Sequence, residues 1–147
     1  MITIKSEEDL KKYTDEKGNI IFTENVEIFI DISAEGYIYS KGDISSKGDI
    51  SSKGDIYSKG NIYSKGDIFC ASRMICNFKK VNGVKTKKYF CITSFKYHIS
   101  IMDNHIKIGC KLYSKEEWEN FTDEEISEMA DGALEWWNEN KKWILSL

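Results

Sequence analysis

A six-residue repeat constrains the fold of this chain more than any other feature. Residues 39–68 read YSKGDI, SSKGDI, SSKGDI, YSKGNI and YSKGDI. One phase of the repeat is aliphatic or methionine at ten consecutive positions: Ile20, Val26, Ile32, Ile38, Ile44, Ile50, Ile56, Ile62, Ile68 and Met74. This period fits neither an α-helix, with about 3.6 residues per turn, nor an uninterrupted strand, in which sides alternate. It predicts a short strand followed by a corner, repeated along a solenoid.

The residues around this isoleucine column predict which side chains face inward and where the chain turns. Residues i and i+2 of a strand face the same side, so the column two residues later is also predicted inside: Ser40, Ser46, Ser52, Ser58, Ser64, Cys70 and Cys76. The corner is Lys-Gly-Asp/Asn, where we expect glycine to supply a positive φ and Asp or Asn to tolerate the neighbouring conformation. The absence of proline suits a backbone whose N–H groups are nearly all paired between coils.

Over residues 17–76, the isoleucine column and the Lys-Gly-Asp corners resemble the hexapeptide-repeat proteins. The resemblance implies a parallel β-helix of triangular cross-section, usually left-handed, with three hexapeptides in each coil of about 18 residues. The segment would then make roughly three coils. The chain departs from the usual pattern in having glycine, rather than Ser, Thr, Ala or Val, four residues after the aliphatic position.

The sequence predicts a mainly β fold: a short capped parallel β-helix followed by a β-hairpin and α-helical C-terminal module. We expect residues 1–16 to form the N-terminal cap, with a helix after Ser6, because a solenoid end must be covered. Residues 17–76 are predicted as the solenoid and residues 77–147 as the second module.

The predicted second module has its own turn and helix signals. Residues 81–84 read VNGV, which predicts a hairpin, and residues 88–95 are predicted as a strand. A turn at residues 103–104 would pair Ile101 with Ile106 and Ile99 with Ile108 on one face. Two capping boxes, residues 114–117 and 122–125, predict helix starts, and a tryptophan-rich helix ends the chain.

The pattern of residues 98–118 and 133–137 resembles uncharacterised small proteins that are often phage- or prophage-borne. That group has no established activity. The resemblance implies only a context, an accessory protein that antagonises a host defence such as CRISPR.

The net charge of −3 conceals a basic segment. Residues 77–113 contain eight lysines and one aspartate, together with aromatic residues that include Phe95. A basic sheet with interleaved aromatics can hold single-stranded nucleic acid, whereas the alternative is a basic hairpin that faces acidic helices or water. The candidate binding residues of this segment are Lys79, Lys80, Lys85, Lys87 and Lys88.

The repeat itself offers a second candidate surface. Lys41 is predicted to stack over Lys59, Lys47 over Lys65, and Tyr39 over Tyr57 with Ile75 one coil further. The candidate residues of this solenoid surface are Tyr39, Lys41, Lys47, Lys53, Tyr57, Lys59, Tyr63 and Lys65. Exposed aromatics on a regular face indicate contact with a partner or with the C-terminal module. For the lysines, the favoured explanation is a solvated face in which aspartates balance their charges.

Catalytic and metal-binding patterns are weak in this chain. The repeat contains no histidine, which hexapeptide-repeat acyltransferases use, and His98 and His105 lie near the predicted hairpin. Cys70, Cys76, Cys91 and Cys110 fit no zinc-ligand spacing, so we expect buried free thiols. We predict no catalytic residue, no metal and no cofactor.

The sequence therefore favours a non-enzymatic binding protein. The first hypothesis is an inhibitor or adaptor that contacts a host or phage protein. The alternatives are a nucleic-acid or nucleotide binder and, third, an acyltransferase. We expect a cytoplasmic protein with no membrane partner, because no segment has the length of a membrane helix or a signal peptide. Homo-oligomer formation is left open.

Overall fold

The computed structural model describes residues 1–92 and 96–147. The chain forms two compact units, Met1–Cys91 and Ile92–Leu147. Strand β14 (Tyr89–Ile92) spans this boundary. It falls within the strand predicted over residues 88–95, whose last three residues, Phe95 among them, lie outside the described residues.

The N-terminal unit is a parallel β-solenoid of about three coils, which confirms the predicted fold class. Its elements are β1 (Ile2–Ile4), α1 (Glu7–Lys11), β2 (Ile20–Phe22), β3 (Val26–Ile28), β4 (Ile32–Ala34), β5 (Ile38–Ser40), β6 (Ile44–Ser46), β7 (Ile50–Ser52), β8 (Ile56–Ser58), β9 (Ile62–Ser64), β10 (Ile68–Cys70), β11 (Met74–Ile75), β12 (Lys79–Val81) and β13 (Val84–Thr86). The first sheet has the order β1-β3-β6-β9-β12-β13, the second β11-β8-β5-β2 and the third β10-β7-β4. Within the repeat, each strand pairs with the strand one coil further; Ile38 thus lies opposite Ile56.

The core of the solenoid contains the two predicted inward columns. The strand isoleucines from Ile38 to Ile68 are fully buried, and the serines two residues later are also buried. A buried hydroxyl needs a partner, and the preceding coil supplies it. The hydroxyl of Ser58 donates to the carbonyl of Gly42 at 2.8 Å, and that of Ser52 donates to the carbonyl of Gly36 at 2.8 Å. The serine column therefore joins successive coils.

The structure gives the corner glycines a different role from the predicted one. Of the repeat glycines, only Gly18 has a positive φ, of 79°, so the prediction of positive φ is wrong for the others. Close approach of the coils is the reason for glycine. A Cβ on Gly60 would lie 2.0 Å from Oδ1 of Asp43 in the coil below, and no side chain fits that gap.

The corner Asp and Asn residues form a hydrogen-bond ladder. Oδ1 of Asp43 accepts from the backbone N–H of Asn61 at 2.8 Å, one coil further. The same bond joins Asp31 to Asp49 and Asp49 to Asp67, both at 2.7 Å. The Asp/Asn column is therefore explained by backbone pairing between coils, and not by tolerance of backbone strain as predicted.

Both ends of the repeat carry additional strands. The helix predicted after Ser6 is α1: Ser6 caps it by accepting from the N–H of Asp9, and Leu10 is buried. Strand β1, which was not predicted, adds in parallel to β3. At the other end, β12 pairs in parallel with β9, and the predicted hairpin turns back into β13. Its turn has positive φ at both Asn82 and Gly83, which is the requirement of a type I′ turn.

The C-terminal unit joins an antiparallel sheet to three helices. Its elements after β14 are β15 (Ile99–Met102), β16 (His105–Ile108), β17 (Lys111–Ser114), α2 (Lys115–Asn120), α3 (Asp123–Ser127) and α4 (Ala133–Leu145). The predicted pairing of Ile101 with Ile106 and of Ile99 with Ile108 is confirmed. Both predicted capping boxes are present. Within the described residues, no helix has the length and apolar character needed to cross a membrane.

Candidate binding surfaces of the solenoid

The predicted binding residues of the solenoid are distributed over several faces. Tyr39 and Tyr57 lie on the second sheet, in β5 and β8, whereas Tyr63 lies on the first sheet, in β9. The five lysines occupy three different corners. Lys41 and Lys59 follow second-sheet strands, Lys47 and Lys65 follow first-sheet strands, and Lys53 follows the third sheet. The predicted stacking in steps of 18 residues is confirmed by the strand register.

The second sheet presents a column of large outward side chains. Ile21, Tyr39, Tyr57 and Ile75 lie in register on its four neighbouring strands. The rings of Tyr39 and Tyr57 are 5.3 Å apart, and Tyr57 and Ile75 are 37% and 44% exposed. Ile21, Tyr39 and Tyr57 line a shallow groove on this sheet. Tyr37, which is 41% exposed, also borders this groove. We call Ile21, Tyr37, Tyr39, Tyr57 and Ile75 the aromatic column.

An ordered carboxylate borders this groove. Asp55 lines it, and its Oδ2 accepts from the guanidinium of Arg73 at 2.9 Å, while its Oδ1 accepts from the backbone N–H of Arg73. A hydrogen bond from the Ser72 side chain, followed by these two bonds from Arg73, lowers the pKa of Asp55 to about 2. The carboxylate is thus ionised near neutral pH, and its position is fixed by the coil above. At the same corner, Lys53 forms an ion pair with Glu35.

The first sheet presents a basic groove. Its wall includes Lys47, Lys65 and Lys80, with Tyr63 and Ser45 between them and Glu27 at one end. We call these six residues the basic groove. The lysines belong to three successive strands or corners, so their charges follow the solenoid axis. Charged groups arranged in this way produce an extended positive field.

Aromatic rings position the lysines near the basic groove. The ammonium of Lys47 lies 4.1 Å from the ring centroid of Phe29, and that of Lys85 lies 4.4 Å from that of Phe78. Phe78 in turn packs edge-on against Tyr63, with centroids 5.6 Å apart. Cation–π contacts of this kind favour particular side-chain positions without neutralising the charge.

The predicted basic segment contributes unequally to this surface. Lys80 and Lys85 lie opposite each other on the exposed face of the hairpin, and Lys87 and Lys88 are exposed after β13. Lys79 is buried instead, because it occupies an inward position opposite Ile62. Its ammonium donates to the carbonyl of Lys87. The signal for this shift is a shortened coil: Lys79 follows Ile62 after 17 residues, not 18.

The histidines and cysteines contribute no assembled site in the described parts of the chain. Nε2 of His98 lies 3.4 Å from Oγ of Ser100, and the buried Nδ1 of His105 has no hydrogen-bond partner there. The cysteines are free; Cys70, Cys76 and Cys91 are partly buried, and burial raises the pKa of the Cys70 and Cys76 thiols. Cys110 is exposed, so the prediction of a buried thiol is wrong there. Residues 1–92 and 96–147 hold no cluster of three metal-ligating side chains.

Two members of the aromatic column, Ile21 and Tyr37, were not predicted from the sequence. Tyr37 occupies the position of the repeat that Asp or Asn fills in the neighbouring repeats, such as Asp31 and Asp43. Its departure from the ladder column was the available signal.

A search of protein-family models, of curated proteins and of solved structures found no match to this chain.

Proposed function

We propose that this chain is a non-enzymatic binding protein, and that the aromatic column holds a partner protein. The observation that carries this proposal is the outward stack of the partly buried Tyr39 on the exposed Tyr57, flanked in register by Ile21 and Ile75. Tyrosine is enriched in protein interfaces, where its ring adds apolar area and its hydroxyl adds hydrogen bonds. A large apolar surface on a regular face is typical of an interaction site.

The solenoid supports this proposal by holding its surface rigid. The strands that carry the aromatic column are hydrogen-bonded to one another in the second sheet. Their first inward side chains are the buried Ile20, Ile38 and Ile56 and the partly buried Met74. Binding by a preformed surface avoids much of the entropy cost of ordering loops and side chains. The Asp55–Arg73 ion pair at the border adds a polar rim, which favours a specific orientation of the partner.

For the partner we propose a host protein, and for the setting a phage or prophage accessory protein that acts in the host cytoplasm against a defence such as CRISPR. The support for this setting is the resemblance of residues 98–118 and 133–137 to small phage-borne proteins. A second copy of this chain is the competing occupant of the aromatic column.

The repeat itself supplies the variants that test the proposal. Serine occupies the position of Tyr39 and Tyr57 in neighbouring repeats, at Ser45 and Ser51, so Tyr→Ser is compatible with the fold. We expect the Tyr39→Ser/Tyr57→Ser variant to lose a protein that the immobilised wild-type chain captures from a host lysate. The matched control is Tyr63→Ser, which makes the same change on the first sheet and should retain capture.

Two results would contradict this assignment. Equal capture by the wild type and the double variant would show that the aromatic column is not the contact surface. A wild-type chain that sediments as a dimer, and a double variant that sediments as a monomer, would assign the column to self-association instead. Circular dichroism of each variant confirms that the solenoid is intact.

A second candidate function is binding of single-stranded nucleic acid by the basic groove. The observation that favours it is the alignment of Lys47, Lys65 and Lys80 beside Tyr63 along one sheet. Lysines release counterions from phosphates, and an aromatic ring offers a surface for base stacking.

A salt-dependent mobility shift distinguishes this second function from the first. We expect binding of single-stranded DNA or RNA to weaken as salt rises, and the salt slope to fall by about 1–2 in Lys47→Gln/Lys65→Gln. Lys41→Gln/Lys59→Gln removes two charges from a different corner and serves as the control. Equal losses in both variants would indicate non-specific attraction and exclude the groove as the site.

A further inference from the structure

The C-terminal unit contains a small apolar cavity. Its volume is about 80 Å³. The cavity wall is formed chiefly by Tyr97, Ile108, Trp118, Ile126, Trp136 and Trp137. Cys110 and Ala130, which also line it, are exposed and mark its opening. Three of the four tryptophans of the chain therefore meet around one space.

The aromatic side chains around the cavity are held in place by contacts with one another and with the backbone. The indole N–H of Trp118 donates to the carbonyl of Ile106 at 2.7 Å. Trp118 also packs on Trp137, with ring centroids 5.2 Å apart, and Tyr97 packs edge-on against Trp136 at 4.9 Å. These contacts oppose collapse of the wall. Protein interiors are normally filled to crystal-like density, so a maintained apolar space has lost contacts that a guest would restore.

The size and lining of the cavity define what can fill it. Apolar cavities stay dry and accept apolar guests, and a cavity of roughly 150 Å³ accepts benzene. The present space is about half as large, so it suits the end of an aliphatic chain better than a ring system. An entire helix of a partner is far too wide to enter, since a helix with its side chains measures about 10–12 Å across.

A single charged side chain lines the cavity among the described residues. Lys111 begins β17 directly after the exposed Cys110, and its own side chain is partly buried. No hydrogen bond or ion pair of its ammonium is found within the described residues. No carboxylate is among the described residues that line the space, so the charge of Lys111 favours an anionic head group over a cationic one there.

We propose that this cavity binds a small aliphatic carboxylate, with the hydrocarbon end among the tryptophans and the carboxylate near Lys111. The site lies wholly within the C-terminal unit and is independent of the aromatic column and the basic groove. Its ligand class, a short- or medium-chain fatty acid, is distinct from the macromolecular partners proposed above.

Intrinsic tryptophan fluorescence and calorimetry of the full chain test this site. The probes are butanoate, pentanoate and hexanoate, with hexanol and hexylamine as matched head-group controls. We expect saturable binding that strengthens about fourfold for each added methylene until the cavity is filled. Hexanoate should bind more tightly than hexylamine.

Two variants locate the binding. Ala130→Leu fills the exposed opening and should abolish binding of hexanoate, whereas Asn138→Leu places the same side chain at another exposed position of the C-terminal unit and should leave it unchanged. Lys111→Met should weaken hexanoate about fivefold and leave hexanol unaffected.

The opposite results overturn the proposal. Absence of saturable hexanoate binding at millimolar concentration would show that the cavity takes no such ligand. Binding that survives Ala130→Leu would place the ligand elsewhere. Hexylamine that binds as tightly as hexanoate, or a Lys111→Met variant with unchanged hexanoate affinity, would exclude the head-group contact.

Discussion

The two units of this protein bury their apolar surface in opposite ways. The solenoid uses one small set of residues again and again, so that Ile50 and Ile56 occupy equivalent environments in successive strands. The C-terminal unit uses large residues once each: Trp118 packs on Tyr113, Phe121 and Trp137 and donates its indole N–H to the carbonyl of Ile106. In a repeat, the environment of each residue can therefore be predicted from its phase. In a packed aromatic core, the contacts of one residue do not predict those of another.

The largest expected effect comes from a charge in the isoleucine column. Ile50→Asp buries an unpaired carboxylate in a position that is fully inaccessible to solvent, which should destabilise the solenoid by about 5 kcal/mol. Far-UV circular dichroism and thermal unfolding measure the loss. Ser51→Asp places the same charge one residue later on the outward side of β7 and should be nearly silent. Similar losses of stability in both variants would refute the assignment of Ile50 as inward and Ser51 as outward.

In the C-terminal unit, we expect one tryptophan to dominate stability. Trp118→Ala removes a buried indole together with its hydrogen bond to Ile106, and should cost about 3–4 kcal/mol in urea unfolding. All four tryptophans lie in this unit, so their emission monitors it separately. Trp143→Ala, at a partly buried position, should cost clearly less. Equal costs would mean that the aromatic core has no principal residue.

The corner glycines offer a test within the repeat itself. Gly60→Ala would bring a Cβ to 2.0 Å from Oδ1 of Asp43, and should reduce the free energy of unfolding by about 2 kcal/mol. Gly54→Ala is the matched control. One coil below, Tyr37 replaces the ladder carboxylate, and the atoms nearest to the added Cβ are backbone atoms of Gly36, 3.1 Å away. We expect the Gly54 variant to lose about half as much, and a larger loss than at Gly60 would exclude the carboxylate as the reason for glycine.

The smallest expected effect is the acid dependence of Asp55. Its pKa is lowered from 3.8 to about 2 in the folded chain, so the folded state favours the ionised form. The stabilisation is complete above pH 3.8, declines as the pH falls toward 2, and is absent below that value. Asp55→Asn removes this titration. The variant should therefore lose less free energy of unfolding than the wild type as the pH falls through this window. If the free energy of unfolding falls in parallel with pH for both proteins, the role of Ser72 and Arg73 is contradicted.

The sequence predicted the solenoid in detail because the position of a residue within the six-residue repeat indicates whether its side chain faces inward, faces outward or lies at a corner. The inward isoleucines and the inward serines follow from phase alone, and the stacking of Tyr39 over Tyr57 follows once the resemblance implies three hexapeptides in each coil. The reason for the glycines did not follow, because the collision of Gly60 with Asp43 depends on how closely two coils approach. Lys79 was misjudged for a related reason, since a coil shortened by one residue moved it into the inward column.

The candidate surfaces were predicted as residue types and not as shapes. Tyr39, Tyr57 and Tyr63 look equivalent in the repeat, but three strands make one coil, so neighbouring repeats fall on different sheets. Tyr37 joined the aromatic column although its phase assigns it to the ladder. The cavity beside Trp118 had no signal in the sequence, because the space depends on several rings packing incompletely.

The sequence alone therefore determined the repeating strand, its inward and outward faces, the hairpin turns and the helix caps. These features are local, and each depends on residues within one coil or one turn. Only the tertiary structure showed why glycine is required at the corners and where the lysines and tyrosines form common surfaces. Those outcomes depend on distances between residues about one coil or more apart, and no local preference of the chain specifies such distances.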